Sequence, residues 1–102
     1  QVDLNYLPYS ARLVQPQNNS KVNLLDNQME FKWEGYDVDN DIVNYSLNYG
    51  FTIDNLDKTI KNISATSVKI QLNKNQTYFW QVVTVDSKGN KSFSTIYEFT
   101  TN

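Results

Sequence analysis

The sequence predicts an all-β fold, an immunoglobulin-like sandwich of about seven antiparallel strands. Two observations lead to this prediction. Apolar residues recur at every second position in several short stretches, and clusters of Asn, Asp, Ser and Pro separate these stretches. Because successive side chains of a strand point to opposite faces, each alternating stretch has one buried and one wet face. Several short strands at this spacing are typical of a sandwich or barrel.

The strands are predicted from their alternation. Residues 29–33, 43–49 and 68–72 alternate apolar with polar side chains. Residues 78–85 are apolar on both faces, as expected of a central strand. The last strand is predicted over residues 93–101. Its alternation puts four residues on one face: Phe93, Thr95, Tyr97 and Phe99.

Turn residues set the boundaries of these strands. Pro8 and Pro16 bracket a first strand, where proline suits a sheet edge. Asp26-Asn27 precedes the strand at Met29, and the segment 86–90 joins the last two strands, with Gly89 able to take a positive φ. We therefore expect one sandwich domain over residues 9–102, preceded by a linker or frayed end over residues 1–8.

Composition narrows the classes of function. The chain has 102 residues, 39% of them hydrophobic, and a formal charge of −2. This is enough apolar content for one core and too little charge for disorder. The basic residues are scattered, so we expect no nucleic-acid binding. No apolar run approaches the ~18 residues of a membrane span, so we expect no membrane insertion.

Five motifs, taken together in this order, resemble those of fibronectin type III domains. They are MEFKW ending at Trp33, IVNYSLNYG at 42–50, LNKNQTY from Leu72 to Tyr78, YFWQVVTVD at 78–86, and the closing FTT at 99–101. The resemblance implies fibronectin type III topology. It also implies a tyrosine corner, in which the Tyr78 hydroxyl bonds to backbone near the preceding connection. The form is similar to modules of secreted or surface bacterial proteins, which implies an extracellular location.

The alternation divides the apolar residues between a core and a candidate interface. Trp33 and Trp80 are the large fillers expected between the two sheets. The predicted structural core is Trp33, Tyr45, Leu47, Leu72, Tyr78, Trp80 and Phe99. An outward set on the last two strands is a candidate interface with a neighbouring module: Phe79, Val83, Val85 and Ile96.

Acidic residues are the candidates for a metal site. The chain has no His and no Cys, so the commonest general base and the best nucleophile are missing, and we expect no catalysis. Asp37, Asp39 and Asp41 stand at alternate positions before a strand, and Asp86 is expected in the facing loop. Calcium takes six to eight oxygen ligands, often from alternate Asp residues. The four acids either bind calcium or satisfy backbone groups of their own turns.

The expected function is therefore structural. We expect a non-catalytic spacer or protein-interaction module of a larger secreted or surface protein, one that acts on polysaccharides. Its partners would be neighbouring domains of the same chain, another protein, or a glycan. Two alternatives stay open. One is a carbohydrate-binding module, which needs exposed aromatic side chains, and the other is a calcium-stabilised adhesion module.

Overall fold

The computed structural model describes residues 9–36 and 42–102, and this part of the chain forms nine strands in two sheets. The strands are β1 (Tyr9–Gln15), β2 (Ser20–Val22), β3 (Gln28–Tyr36), β4 (Ile42–Gly50), β5 (Lys58–Ile63), β6 (Ser67–Gln71), β7 (Thr77–Asp86), β8 (Lys91–Phe93) and β9 (Tyr97–Thr101). No helix in the described ranges has the length and apolar character that a membrane crossing requires.

The two sheets pack as the alternation predicts. The smaller sheet has the order β1-β3-β6, and the larger has the order β2-β9-β7-β4-β5, with β8 also paired to β7. Neighbouring strands are antiparallel except β2 and β9, which run parallel. The predicted all-β sandwich is confirmed. Its described strands number nine rather than about seven because short β2 adds to the sheet and the last predicted strand is divided.

The division of the last strand corrects one prediction. Ser94 stands between β8 and β9, where its amide donates to the Val82 carbonyl at 2.9 Å and its Oγ accepts from the Val82 amide at 2.9 Å. This insertion shifts the register by one residue, so Phe93 lies opposite Val83 on the outer face and is 56% exposed. The prediction that Phe93 shares the inward face of Phe99 was wrong, since strict alternation fails across the break.

The core lies between the sheets and is rich in aromatic rings. Phe31 from the smaller sheet meets Trp80 edge-on at a centroid distance of 4.9 Å and Phe99 at 5.7 Å. Such pairs add about 0.5–1.5 kcal/mol beyond their buried area. All seven residues of the predicted core are buried: Trp33, Tyr45, Leu47, Leu72, Tyr78, Trp80 and Phe99.

Hydrogen bonds to β7 and to the end of β9 hold the connection between β6 and β7. The Asn73 amide donates to the Tyr78 hydroxyl at 2.8 Å, so the expected tyrosine-corner bond is confirmed. The Thr101 hydroxyl donates to the Asn73 carbonyl at 2.6 Å and accepts from the Gln76 amide at 3.0 Å. These bonds join the connection to the end of β9.

The chain enters and leaves the described sandwich at opposite ends. Near the start of β1, the Ser10 hydroxyl donates to the Phe93 carbonyl at 3.0 Å, which places it beside the end of β7. After β9, the Asn102 amide donates to the Val22 carbonyl at 2.9 Å, near the start of β7. We call these ends the entry pole, which includes the β7–β8 turn, and the exit pole, which includes the β2–β3, β4–β5 and β6–β7 connections.

Candidate functional site

The entry pole holds the one predicted metal-site residue that the structure describes. Asp86 ends β7 and lies opposite Ile42, the first residue of β4. Asp37, Asp39 and Asp41 fall outside the described residues. Their segment joins Tyr36, the last residue of β3, to Ile42. The structure therefore places Asp86 beside the strand that this acidic segment leads into.

Asp86 is buried and its carboxylate is bound by its own turn. The side chain is part of a residue only 4% exposed. Oδ1 accepts from the Lys88 amide at 3.0 Å and from the Asn90 amide at 2.8 Å, and Oδ2 accepts from the Asn90 side-chain amide at 3.0 Å. Burial acts to raise the pKa of Asp86, but these hydrogen bonds outweigh it and hold the pKa below its ordinary value.

The backbone of the same turn explains why an aspartate suits this position. The Asp86 amide donates to the Asn90 carbonyl at 3.0 Å, and the Gly89 amide donates to the Asp86 carbonyl at 3.1 Å. Gly89 has a φ of 83°, as expected from its sequence context. The carboxylate then accepts two further amides that the tight turn leaves without strand partners.

This arrangement supports a turn-stabilising role for Asp86. In residues 9–36 and 42–102, no three or more His, Cys, Asp or Glu side chains gather into a metal-binding group. Calcium needs six to eight oxygen ligands. A calcium site at this pole would therefore depend on Asp37, Asp39 and Asp41.

The candidate interface on the larger sheet is smaller than its sequence suggests. Val83 is buried at 4% exposure, while Phe79, Val85 and Ile96 are half-buried. Phe93, which alternation placed on the same face as Phe99, lies opposite Val83 and supplies exposed apolar surface there. The signal that could have found it is Ser94-Thr95, two consecutive small polar residues at the break between β8 and β9.

Polar side chains of the same outer face bind one another. The Thr59 hydroxyl donates to the Asn48 side-chain oxygen at 2.8 Å, and the Asn48 amide donates to the Gln81 side-chain oxygen at 3.3 Å. The Gln81 amide in turn donates to the Ser94 carbonyl at 3.4 Å. This row crosses from β5 to the β8–β9 break, so these groups are already occupied without an external ligand.

The exit pole carries apolar side chains that no predicted site included. Leu25 is 78% exposed, Ile53 is 54% exposed and Phe51 is 43% exposed. The two connections that carry them meet around the β6–β7 connection: the Leu72 amide donates to the Asn27 carbonyl at 2.9 Å, and the Phe51 ring lies 5.4 Å from that of Tyr78. A sequence signal existed at Ile53, which is an apolar residue among the polar residues of a turn.

The exposed aromatic residue at this pole does not form an open sugar platform. Phe51 packs against Tyr78 on one side, and the Lys58 ammonium lies 5.0 Å from its ring centroid. Both tryptophans, Trp33 and Trp80, are buried. Among the aromatic side chains whose exposure the structure describes, Phe51 at the exit pole and Phe93 on β8 are exposed, and they do not form a pair on which a sugar could stack.

Comparison with known proteins shows the fold. Neither a protein-family model nor a curated protein sequence matches the chain. Among solved structures, an α-L-rhamnosidase from Dictyoglumus thermophilum superposes with a TM-score of 0.71 at 19% identity, over 95% of this chain and 12% of that chain. An engineered protein gives a TM-score of 0.66 at 11% identity, over 93% of this chain and 20% of that one. CopC from Methylosinus trichosporium OB3b gives a TM-score of 0.53 at 14% identity, over 90% of this chain and 93% of that chain.

These likenesses are to folds rather than to activities. At such identities they show an immunoglobulin-like β-sandwich, as the sequence predicts. This chain spans only 12% of the length of the rhamnosidase. The domain is thus similar to one segment of a much longer protein.

Proposed function

We propose that this domain is a non-catalytic spacer of the fibronectin type III kind, in a longer secreted or surface protein that acts on polysaccharides. The observation that carries the proposal is that the chain enters at one pole of a closed sandwich and leaves at the other. A module of this shape holds its two neighbours at a set distance. Its immediate partners are those neighbours in the same chain.

The contacts at both poles support a rigid spacer. A nine-residue strand such as β4 spans about 30 Å, which sets the scale of the separation. At the entry pole, Ser10 is bonded to Phe93 across the sheet edge. At the exit pole, Asn102 donates from its backbone to Val22 and from its side chain to Asn23 at 2.9 Å. Both points of attachment are therefore fixed to the sandwich.

The strand order and one hydrogen bond support the fibronectin type III assignment. The sheets β1-β3-β6 and β2-β9-β7-β4-β5 place the MEFKW motif of β3 in one sheet and the motifs of β4, β7 and β9 in the other. The bond from the Asn73 amide to the Tyr78 hydroxyl is the tyrosine-corner contact that the resemblance implies.

Two further observations support a non-catalytic role in this setting. The chain has no His and no Cys, and the described carboxylates at the entry pole bind within the domain: Asp86 to its turn and Glu34 to Arg12 at 2.9 Å. The fold likeness to a segment of an α-L-rhamnosidase supports a parent protein that acts on glycans. The extracellular location rests on the sequence resemblance to modules of secreted or surface proteins.

The test replaces the module within its parent protein. Spin labels are placed on the two flanking modules, and residues 9–102 are exchanged for a Gly/Ser segment of equal length. We expect a narrower distance distribution for the natural chain than for the exchange, because a folded module fixes the span between its two poles whereas Gly/Ser chains behave as random coils. Equal distributions would contradict the spacer role.

A binding assay separates the carbohydrate alternative. The parent protein and its exchanged form are run through affinity gels that contain rhamnose-bearing and other polysaccharides. We expect equal mobility, because the described aromatic rings offer no stacking platform. Retardation lost on exchange would instead favour a carbohydrate-binding module.

A further inference from the structure

The exit pole gathers most of the exposed large apolar side chains that the structure describes. Of the four such residues among the side chains whose exposure the structure describes, Leu25, Phe51 and Ile53 lie at this pole and Phe93 lies on β8. Single exposed apolar residues are common on soluble proteins. Three of these four exposed apolar side chains lie at one end of the sandwich, and such a concentration is typical of an interaction surface.

Leu25 is held on a tight turn. Its amide donates to the Gln28 carbonyl at 3.1 Å, and the Gln28 amide donates back to the Leu25 carbonyl at 3.0 Å. Between them, Asp26 and Asn27 both take positive φ angles of 55° and 62°, the geometry of a two-residue hairpin turn. The exposed side chain therefore has a fixed base.

Ile53 is presented in a similar way. It lies at the tip of a turn in which the Asn55 amide donates to the Thr52 carbonyl at 3.2 Å. This turn folds back onto Gly50, where a Cβ would overlap the Asn55 carbonyl and stand 3.0 Å from the Leu56 Cα. Because the backbone that carries this apolar side chain is already ordered, covering it with a partner costs little further backbone entropy.

Asn102, which follows β9, lies beside the segment that leads into the Leu25 turn. Asn102 is bonded through its amide to Val22 and through its side chain to Asn23, two residues before Leu25. Polypeptide that continues beyond Asn102 must leave the domain next to the exposed apolar side chains. A module tethered there is present at a high effective concentration, so a modest apolar surface is enough to hold it.

We propose that the exit pole is the docking surface for the module that follows in the same polypeptide, with Leu25 and Ile53 as its main apolar contacts. This inference rests on the proposed spacer function, since it needs a following module. It goes beyond that function because it makes the joint after Asn102 a packed interface instead of a free hinge. The partner surface is apolar and belongs to that next module.

The experiment uses the parent protein extended through its next module. Amide hydrogen exchange is measured at residues 24–27 and 51–55 in the natural chain, in Leu25→Lys and in Ile53→Lys. We expect each variant to raise exchange at both turns by about tenfold or more, because uncovering one large aliphatic side chain shifts the docked equilibrium by that order. The two modules should also tumble as one body in the natural chain and separately in the variants.

Phe93→Lys is the matched control. Phe93 is as exposed as Ile53 but lies on β8, away from the exit pole. We expect it to leave exchange at both turns and the joint tumbling unchanged. If Phe93→Lys acts as strongly as Leu25→Lys, the proposal is overturned. A melting curve of each variant shows whether the domain has unfolded, and Ile53→Ser serves as a milder second change.

The remaining outcomes separate this inference from the spacer function. Independent tumbling of the natural modules overturns docking but leaves a spacer with a flexible joint. A parent protein without a neighbouring module overturns the spacer function and the docking together. Concentration-dependent dimers that Ile53→Lys abolishes would assign the pole to a second copy of this chain and overturn the proposal.

Discussion

The two poles of the sandwich invert the usual placement of side chains. At the entry pole a charged residue, Asp86, is buried, whereas at the exit pole Leu25 and Ile53 are exposed. A buried charge is unfavourable unless it has hydrogen-bond partners, and a group of exposed apolar side chains marks a surface for a partner. The difference between the poles is where that partner is found.

Asp86 has its partner inside the domain. Three N–H donors of the β7–β8 turn surround the carboxylate, so its burial requires no external group. Leu25 and Ile53 have no comparable cover among the described residues, and the turns that hold them are fixed. The comparison teaches that the buried charge, which looks functional in the sequence, already has its hydrogen-bond partners within its own turn. The exposed aliphatic residues of the exit pole, which look incidental in the sequence, offer a better surface for association than Asp86 does.

A glycine near each pole gives the largest expected effect. Gly50→Ala at the exit pole places a methyl group against the backbone of residues 55–56, which cannot move without opening the turn. Gly35→Ala at the entry side places it on the hydroxyl of Tyr45, the end of a side chain that can be displaced without opening the backbone. We expect losses of unfolding free energy of about 3 kcal/mol for Gly50→Ala and about 1 kcal/mol for Gly35→Ala, in urea titrations of the purified domain.

The order of these two values is the informative part. Tyr45 packs edge-on against Trp33 at 5.6 Å, and its freedom to shift depends on that contact. If Gly35→Ala lowers the free energy of unfolding more than Gly50→Ala does, the Tyr45–Trp33 pair is more rigid than the exit-pole turn. The view that the exit-pole turn is a fixed platform would then be weakened.

Acid should unfold the domain partly through Asp86. Its pKa is lowered in the folded state, so the charged form is favoured there and contributes stability above the ordinary aspartate pKa of about 3.9. That contribution is lost as the pH falls from this value through the lowered folded-state pKa. We expect Asp86→Asn to melt at a lower temperature than the natural domain at pH 7 and to approach it below pH 4, in melting curves recorded across that range.

Glu34→Gln is the control for this pH dependence. Hydrogen bonding to Arg12, together with the charge of Arg12, also lowers the pKa of Glu34, but both side chains are largely exposed. Exposed ion pairs contribute little because water screens them. A Glu34→Gln variant that shifts the acid transition as much as Asp86→Asn would show that charge alone, rather than the capped turn, controls acid stability.

Much of the fold could be predicted because one physical rule dominates it. In β3, β4 and β7 each buried face is a run of every second residue, and a slip by one position would expose the whole core. Phe93 could not be placed by the same rule. The register shift at Ser94 depends on two hydrogen bonds to Val82 across the sheet, and alternation along one strand carries no record of them.

The candidate site was less predictable for a related reason. The spacing of Asp37, Asp39, Asp41 and Asp86 suggests ligands, but the sequence does not show which N–H groups a carboxylate will meet. At Asp86 those groups come from its own turn, which is a local contact that a loop sequence of this kind permits. The exposure of Leu25 depends on a hairpin turn whose flanking strands pair with different sheets, and this is a tertiary property.

Removal of calcium should have the smallest effect on the melting temperature of the domain. This experiment tests directly whether the entry pole needs a partner from outside the domain. Because Asp86 is already bound through both oxygens by its turn, we expect melting curves in EDTA and in millimolar calcium to coincide. A melting temperature that rises with calcium, and that Asp39→Asn returns to its EDTA value, would instead show a metal site in which the 37–41 segment supplies the ligands. Asp86→Asn then separates the two roles: loss of the calcium effect would make Asp86 a ligand, whereas an unchanged calcium effect on a less stable domain would leave it a turn residue. In the first case the entry pole, like the exit pole, would depend on a partner from outside the domain.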